Sequence, residues 1–462
     1  MRVGELGFVI LTALLMVMVI WWPVRPGLRL RVTQTVIAVT AVVLVLHLIL
    51  EFPRFLLLPA AVVFTVLVAV TWRRAARLDS ERGGGKRWVT VARRSAATLV
   101  GGALVATSGV AVWALPVLTP PATSGPYAVG AHSEVFVDEN RTEPRITTAT
   151  LPRSIPATIW YPAEATEGQR PLGYDPEVPE ALTANLSAPA VVLGHLQRIS
   201  TNTFQDAQPA SGRFPVLLYS PGFGSTRYES MALITELVSH GYVVVGMDHA
   251  GTSGVVTAHN GERILADLET MDSGDDSAGL VEERAQDANV VLDSLSSTKL
   301  AETMDLDRVG MLGFSFGGAT AAEALRTDPR VQAALNIDGP FHGNVTQEAV
   351  GKPLMTLHHD PGTHPPEEQP EVLHYQQDEN DLIRGLNGTN YHVATVQRTQ
   401  HPSFNDTFAV VPLMGNGLLP HTRMVELLRP LIRDWFDHQL RGEPLRMVGK
   451  DLPEYPEIVW QN

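Results

Sequence analysis

The sequence has no cysteine, which excludes disulfides, thiolate nucleophiles and cysteine-held zinc sites together. Charge is scarce, at 18% of residues, and unevenly spread. Residues 1–120 hold 13 of the 35 Lys/Arg but only 4 of the 49 Asp/Glu, a net +9, while the rest of the 462-residue chain carries −23. Parts so different in charge belong in different surroundings. The acidic part is long enough for one large domain with a full core. Its charge repels phosphate backbones and argues against nucleic acid as a partner. With 45% hydrophobic residues the chain is not low-complexity disorder, and the acidic part shows no internal repeat.

Charge is missing altogether from Leu6–Val24, Val32–Leu50, Phe55–Trp72 and Ser95–Leu118. At about 1.5 Å per helical residue each is long enough to cross a bilayer, and three carry Trp at or near an end, where membrane interfaces favour it. The first stretch is expected to be retained rather than cleaved as a leader, because Arg2 is offset by Glu5 and no small-residue cleavage site follows. Arg25, Arg29 and Arg31 lie between spans one and two. Arg73, Arg74, Arg77, Arg82, Lys86, Arg87, Arg93 and Arg94 lie between spans three and four, and only Glu51-Phe52-Pro53-Arg54 joins two and three. The positive-inside tendency puts both basic loops in the cytoplasm, beside anionic lipid headgroups, and the acidic domain outside it. A membrane region is therefore expected over 1–118, a stiff proline-containing linker over 119–125 and a soluble domain over 126–462.

In that domain short apolar runs alternate with amphipathic segments. Strands are expected at Ile155–Tyr161, Phe214–Tyr219, Val243–Asp248, Arg308–Gly313, Val331–Ile337, Pro353–His358 and Tyr391–Gln397. Helices are expected at Tyr228–His240, Glu283–Leu295, Gly317–Leu325 and Thr422–Leu440. This alternation predicts an α/β fold with a mostly parallel, doubly wound sheet. Glu164–Gly212 and Gly254–Glu282 fit no element and read as lids or substrate walls. Asp272, Asp275, Asp276, Glu282 and Glu283 lack the glycine and spacing of a calcium loop and read as a solvated acidic face.

The most specific motif is Gly313-Phe-Ser-Phe-Gly317, between a strand and a small-residue helix. A sharp strand-to-helix turn strains its central residue and needs glycine on either side so that strand and helix can approach. Ser315 is then the nucleophile, above a helix N-terminus that favours negative charge. A serine hydroxyl needs a base. His401, in the loop between a late strand and the last helix, is best placed for it, while His421 is expected to cap that helix and His438 to lie on its polar face. Asp338 and Asp360 follow Ser315 by 23 and 45 residues, each at a strand end. Either would hold the imidazole in the required tautomer, and chain order does not separate them. The oxyanion requires two preorganised N–H donors. Phe316 supplies one, and Phe223, in the turn Ser220-Pro-Gly-Phe-Gly224, supplies the other.

At these residues the chain resembles the platelet-activating-factor acetylhydrolase type of α/β-hydrolase, the plasma and intracellular type II group with its bacterial relatives. The resemblance rests on Ile159-Trp-Tyr-Pro162, Phe214-Pro-Val-Leu-Leu-Tyr-Ser-Pro-Gly-Phe-Gly224, His240-Gly-Tyr-Val-Val-Val-Gly-Met-Asp-His249, Gly313-Phe-Ser-Phe-Gly-Gly318 and His401-Pro-Ser-Phe-Asn-Asp406. It spans residues 126–440 and does not reach the four apolar stretches. It implies an α/β-hydrolase fold, a serine esterase acting on esters with short or oxidised acyl chains, no metal or organic cofactor, and Asp338 as the acid. Two positions depart from the family pattern: Pro221 replaces the usual histidine before the oxyanion glycine, and Phe314 a polar residue before the serine.

The expected protein is thus a membrane-tethered, extracytoplasmic serine esterase acting on a small-molecule or lipid ester. The alternatives are an acyltransferase with the same triad and a non-catalytic membrane binding protein. Phe223, Phe314 and Phe316 are expected to line a narrow acyl pocket. The topology has a direct check: protease added to intact cells should remove the acidic domain, and digestion only after lysis would place that domain inside.

Overall fold

The computed structural model describes residues 2–461 apart from 22–25, 52–53, 77–86, 116, 118–119, 146–150, 165, 167, 186–188, 268–276 and 407–416. The chain divides into two compact units. One comprises residues 1–118 with 191–198 and 410–413; the other comprises 119–190, 199–409 and 414–462.

In the first unit α1 (Val3–Trp21), α2 (Pro26–Leu50), α3 (Leu58–Ala76) and α4 (Arg87–Ala114) are four helices long and apolar enough to cross a membrane. Phe8 and Phe64 meet edge to face at 5.7 Å between ring centres. The Ser108 hydroxyl accepts the Ala60 N–H at 3.1 Å. Glu5 and Arg54 form an ion pair, 3.2 Å apart, with both side chains fully buried. The expected basic loop is shorter than the charge pattern suggested. Arg73 and Arg74 end α3, while Arg87, Arg93 and Arg94 belong to the first turns of α4. Arg25, Phe52, Pro53, Arg77, Arg82 and Lys86 lie outside the described residues.

In the second unit the strands are β1 (Ala128–Thr142), β2 (Pro152–Ala163), β3 (Phe204–Gln205), β4 (Phe214–Ser220), β5 (Val243–Met247), β6 (Val255–Thr257), β7 (Arg263–Leu265), β8 (Met304–Phe314), β9 (Val331–Ile337), β10 (Leu354–His359), β11 (Tyr391–Val396) and β12 (Ile458–Gln461). The helices are α5 (Glu177–Asn185), α6 (Met231–Ser239), α7 (Ser277–Leu295), α8 (Phe316–Thr327), α9 (Gln369–Asn387) and α10 (His421–Arg441). Ten strands form one sheet, in the order β12-β11-β10-β9-β8-β4-β5-β2-β1-β3. Its centre, β11-β10-β9-β8-β4-β5, is parallel. β2 and β12 run antiparallel to their inner neighbours. Every residue of β4 is buried, as suits a strand covered by helices on both faces.

The mostly parallel sheet follows the expected alternation, with differences at its edges. The expected strand Ile155–Tyr161 is the middle of β2, which pairs antiparallel with the longer, partly exposed β1. β12 is only four residues long, too short to show a period, and α9 is too polar to be read from sequence. Within the expected linker, Ser124 N–H donates to Glu236 at 3.0 Å, and the Arg429 guanidinium donates to Ala122 O at 2.8 Å. Of the two irregular insertions, the first contains α5 and β3 and the second the hairpin β6–β7.

A buried ionic cluster ties hairpin to helix. Arg153 on β2 donates to Asp287 of α7 from Nε and Nη2, at 2.7 and 2.6 Å, and to Glu143 from Nη1 at 2.7 Å. Arg153 is 1% exposed and Asp287 is not exposed at all. Losing Arg153 leaves Asp287 with Arg141 and His249, and Glu143 with Arg145, so it costs part of the about 3–5 kcal/mol that breaking an isolated buried pair costs. Arg153→Met should therefore lower the melting temperature of the second unit clearly, by calorimetry of the full chain in detergent. An unchanged transition would mean that the cluster contributes no net stability.

Candidate active site

The site lies at the carboxyl edge of the parallel strands. Ser315 sits between β8 and α8 with φ 54° and ψ −125°, a region that costs a non-glycine residue energy and persists only when its surroundings impose it. Those surroundings are tight. A Cβ on Gly317 would lie 1.9 Å from Ser220 O, and one on Gly313 would lie 2.2 Å from Gly317 O. Both glycines are thus required by close approach. Ser315 N–H donates to Ile337 O at 2.8 Å, which fixes the turn against β9.

Three expected residues meet in one chain. Ser315 Oγ lies 2.9 Å from His401 Nε2, and His401 Nδ1 lies 2.6 Å from Asp338 Oδ2. Since a carboxylate only accepts, Nδ1 carries the proton and Nε2 is free to accept from the serine. Asp338 is 3% exposed by side chain, whereas His401 is 43% exposed. Asp360 is elsewhere: its oxygens accept from Gly362 N–H, which closes a turn after β10, and from Arg398 N–H in the segment after β11, both at 2.8 Å. His421 heads α10 and lies 3.5 Å from Asp406, and His438 bonds Glu443 O at 2.6 Å. Neither faces the serine.

Asp338 has a partner that sequence reading missed. His359, the last residue of β10, donates its N–H to Oδ1 at 2.8 Å, and its Nδ1 lies 2.9 and 2.8 Å from the two oxygens. Burial opposes ionisation of Asp338, but the hydrogen bonds and charge of His359 and His401 outweigh it and hold the carboxyl well below its ordinary range. The available signal was the polar run His358-His359-Asp360 closing a strand parallel to the one that ends in Asp338. Parallel neighbours deliver their ends to the same edge of the sheet.

The two nominated N–H donors are placed by different means. Phe316 is the first residue of α8, where the helix leaves its N–H groups unpaired. Around Phe223, Gly222 N–H donates to Glu229 Oε1 and Gly224 N–H to Thr252 O, each at 2.8 Å. Among the described residues neither Phe316 N–H nor Phe223 N–H meets a protein acceptor. Glu229 is fully buried against this turn, and burial pushes its pKa up to about 7. Beneath lies a second serine–histidine–aspartate chain. Ser220 Oγ is 3.0 Å from His249 Nε2, and His249 Nδ1 is 2.9 Å from Asp287. All three are fully buried, so this chain braces the turn and is out of reach of a substrate. The His-x-x-Phe-x-Asp pattern also acquires a reason. Asp406 is buried and accepts the Ala232 N–H in the first turn of α6 at 2.9 Å, which anchors the segment that carries His401.

A cavity of about 520 Å³ opens over Ser315 and His401. Phe223 and Phe316 line it and meet edge to face at 5.6 Å. Phe314 does not: it is 5% exposed and packs on the His401 ring at 4.7 Å, so the expected third wall ring supports the base instead. The opposite wall comes from α9, through Val372, Tyr375, Gln376 and Glu379. Of the two insertions expected as walls, only Ser277 and Leu280, where the second runs into α7, reach the cavity among the described residues. Glu379 Oε1 accepts from Phe341 N–H and from the Tyr375 hydroxyl, and burial raises its pKa to about 7. Of the expected acidic face, Asp272, Asp275 and Asp276 lie outside the described residues, and Glu283 pairs with Arg145 and Arg153, both at 3.1 Å.

A family model described as platelet-activating factor acetylhydrolase, isoform II, matches residues 116–274 and 278–414; α1–α4 precede it. A probable 1-alkyl-2-acetylglycerophosphocholine esterase of Arthroderma benhamiae is 26% identical over 266 residues, covering 53% of this chain and 66% of that protein. The platelet-activating factor acetylhydrolase of Canis lupus familiaris is 26% identical over 155 residues, covering 27% and 35%, and that of Cavia porcellus 24% over 253 residues, covering 48% and 55%. The chain thus spans between a third and two thirds of the length of these relatives. A ferulic acid esterase from Streptomyces cinnamoneus superposes with a TM-score of 0.63 at 26% identity, covering 75% of this chain and all of that one. The second unit has the α/β-hydrolase fold.

The two aspartates make opposite predictions. Asp338→Asn removes the acceptor that sets the His401 tautomer and should lower kcat at least about 100-fold. Asp360→Asn, which touches the turn after β10 and the Arg398 N–H but not the His401 ring, should cost much less. The reverse ranking in ester hydrolysis would move the acid to β10.

Proposed function

The chain belongs to the platelet-activating factor acetylhydrolase isoform II family, and from that membership we propose that it is a serine esterase tethered to a membrane, hydrolysing short-acyl or oxidised phospholipid-type esters outside the cytoplasm. The observation that carries this reading is the unbroken chain Ser315–His401–Asp338 at a strained elbow, open to a cavity.

Ser315 Oγ attacks the ester carbonyl as His401 Nε2 takes its proton. Asp338 stabilises the imidazolium that forms. Phe223 N–H and Phe316 N–H receive the oxyanion, in a site where donors are already oriented and cost no reorganisation. His401 returns the proton to the departing alcohol. Water, activated by the same imidazole, then releases the acid. These steps use only the named side chains, the two N–H groups and water. Tethering is supported by the four apolar helices, and the side of the membrane by the basic residues around spans one to two and three to four.

The acyl preference follows from the cavity wall. Adding methylenes to a ligand gains about 0.8 kcal/mol each while the pocket has room, and overpacking costs about 1–3 kcal/mol once it is full. Phe223 and Phe316, locked against each other beside the donors, bring that limit close to the serine. A fluorophosphonate probe should label Ser315 in the full chain. Across nitrophenyl esters from acetate to palmitate, kcat/KM should peak at short chains and fall for long ones. Activity rising steadily to palmitate would reject the short-acyl reading, and an unlabelled serine would reject the esterase.

A further inference from the structure

Three successive peptide planes form the turn that carries Phe223, and each is held by a partner. In a trans peptide the C=O and the N–H of one plane point in opposite directions, so a partner on either orients both. Gly224 N–H donates to Thr252 O at 2.8 Å, which holds the plane 223–224. Ser225 N–H donates to Gly222 O at 3.2 Å, which holds the plane 222–223 and turns Phe223 N–H the other way. The plane 221–222 is held at both ends by buried ionisable side chains. Gly222 N–H donates to Glu229 Oε1 at 2.8 Å, and Pro221 O accepts from Arg284 Nη2 at 2.6 Å. Gly222 has no Cβ to restrain the planes on either side of it, so these bonds rather than local sterics set its conformation.

Arg284 belongs to α7 and is not exposed at all. Its Cζ also lies 5.3 Å from the centre of the Phe316 ring. One guanidinium thus meets the turn of one nominated donor and the side chain of the other. Arg153 and Arg227, also buried in this unit, pair with the carboxylates of Asp287 and Asp248. Arg284 instead gives its hydrogen bond to a neutral carbonyl, and its Nε and Nη1 find no partner among the described residues. Burial lowers its pKa to about 10, against the pull of Glu229, Asp287 and Asp248, so it remains a cation at neutral pH. Burying N–H groups without partners costs stability, and an apolar side chain would fill the same space at less cost. Packing alone therefore does not account for an arginine here.

We propose that Arg284 is a positioning residue for the oxyanion site: by holding Pro221 O and covering the Phe316 ring, it keeps the Phe223 and Phe316 N–H groups aimed at one point. The proposal rests on the esterase reading. Its charge makes the hold firmer, because a charged donor forms the stronger bond to a carbonyl. Without it the 221–222 plane loses its hold at the carbonyl end, and the adjoining plane with Phe223 N–H loses a fixed base. Donors that must reorient as the oxyanion forms stabilise it less than donors already in place. The loss falls on the transition state, where the charge on the oxygen is largest.

The test uses the full chain in detergent, with nitrophenyl acetate as substrate and a short-chain trifluoromethyl ketone as inhibitor. Ser315 Oγ adds to the ketone carbon, its proton passes to His401, and the carbonyl oxygen becomes an oxyanion where that of the ester would form. Arg284→Met should lower kcat at least about tenfold, less than the about 10²–10³ for outright loss of a donor, and leave KM within about twofold of the parent's. It should weaken ketone binding by the same factor as kcat/KM, a match that a merely structural residue would not produce. Arg284→Lys, which keeps the charge on a shorter and narrower head, should fall between Arg284→Met and the parent on both measures. Complete labelling by a fluorophosphonate and a melting temperature near the parent's would show each variant folded. Parent-like kcat in a folded Arg284→Met would overturn the proposal, and so would a fall in kcat with undiminished ketone binding. If Arg284→Met does not fold, an Arg284→Lys equal to the parent on both measures would overturn it, because an ammonium cannot hold Pro221 O and cover the Phe316 ring together. A parent chain that neither hydrolyses the ester nor takes the label would reject the esterase reading and this proposal with it; the other adverse outcomes reject the proposal alone.

Discussion

A serine at positive φ between a strand and a helix is the constraint around which the second unit is organised. The conformation is unfavourable in isolation, so backbone must press on it from several directions. β4 does so through Ser220 O, which approaches Gly317 too closely for any side chain; β9 does so through Ile337 O, which holds the Ser315 N–H. Both contacts need parallel strands in register on either side of β8, as the pairing of Ser220 with Gly313 and of Ile337 with Phe314 shows. The same register carries the Ser220–Gly224 turn past the serine and Asp338 to the sheet edge. The two nominated N–H donors and Asp338 are thus placed by the packing that supports the elbow.

Among the described residues the unit contains two serine–histidine–aspartate chains, with distances of 2.9 and 2.6 Å in one and 3.0 and 2.9 Å in the other. Water access is what separates them. Ser220, His249 and Asp287 are sealed, and burial pushes the His249 pKa down to about 3, so its imidazole stays neutral and serves as a fixed link between the oxyanion turn and the Arg153 cluster. Ser315 and His401 open on a cavity, and Asp338 behind them is kept ionised by two histidines. Similar residue types in similar geometry thus do structural work in one place and are free for chemistry in the other.

Much of this was legible along the chain. The charge split and four uncharged stretches located the apolar helices, because spanning a bilayer is a matter of local length and composition. The elbow glycines, the alternation of strand and helix and the late histidine located Ser315 and His401. Boundaries were less legible. α4 begins well before its uncharged stretch, since arginines at a helix start do not interrupt it. α9 was hidden by a polar sequence that pairs only a narrow face with the domain. Phe314, next to Ser315 in sequence, packs on the His401 ring rather than lining the cavity, because it is the last residue of β8 and the chain turns sharply at Ser315.

The sequence by itself determined which residue types stand at which turns: a serine between glycines, a histidine in the last loop, and two aspartates at strand ends with nothing in chain order to divide them. Only the tertiary structure decided between Asp338 and Asp360, and it did so through register. β9 and β10 end side by side, so their terminal residues compete for one imidazole. Asp338 adopts positive φ and bonds His401, while Asp360, beyond the strand end, bonds the backbone of its own turn and of the segment after β11. The same geometry set His359 on the far side of that carboxylate, next to His364. No pattern along one chain can specify such a meeting, because it depends on how far each of two strands runs before it stops.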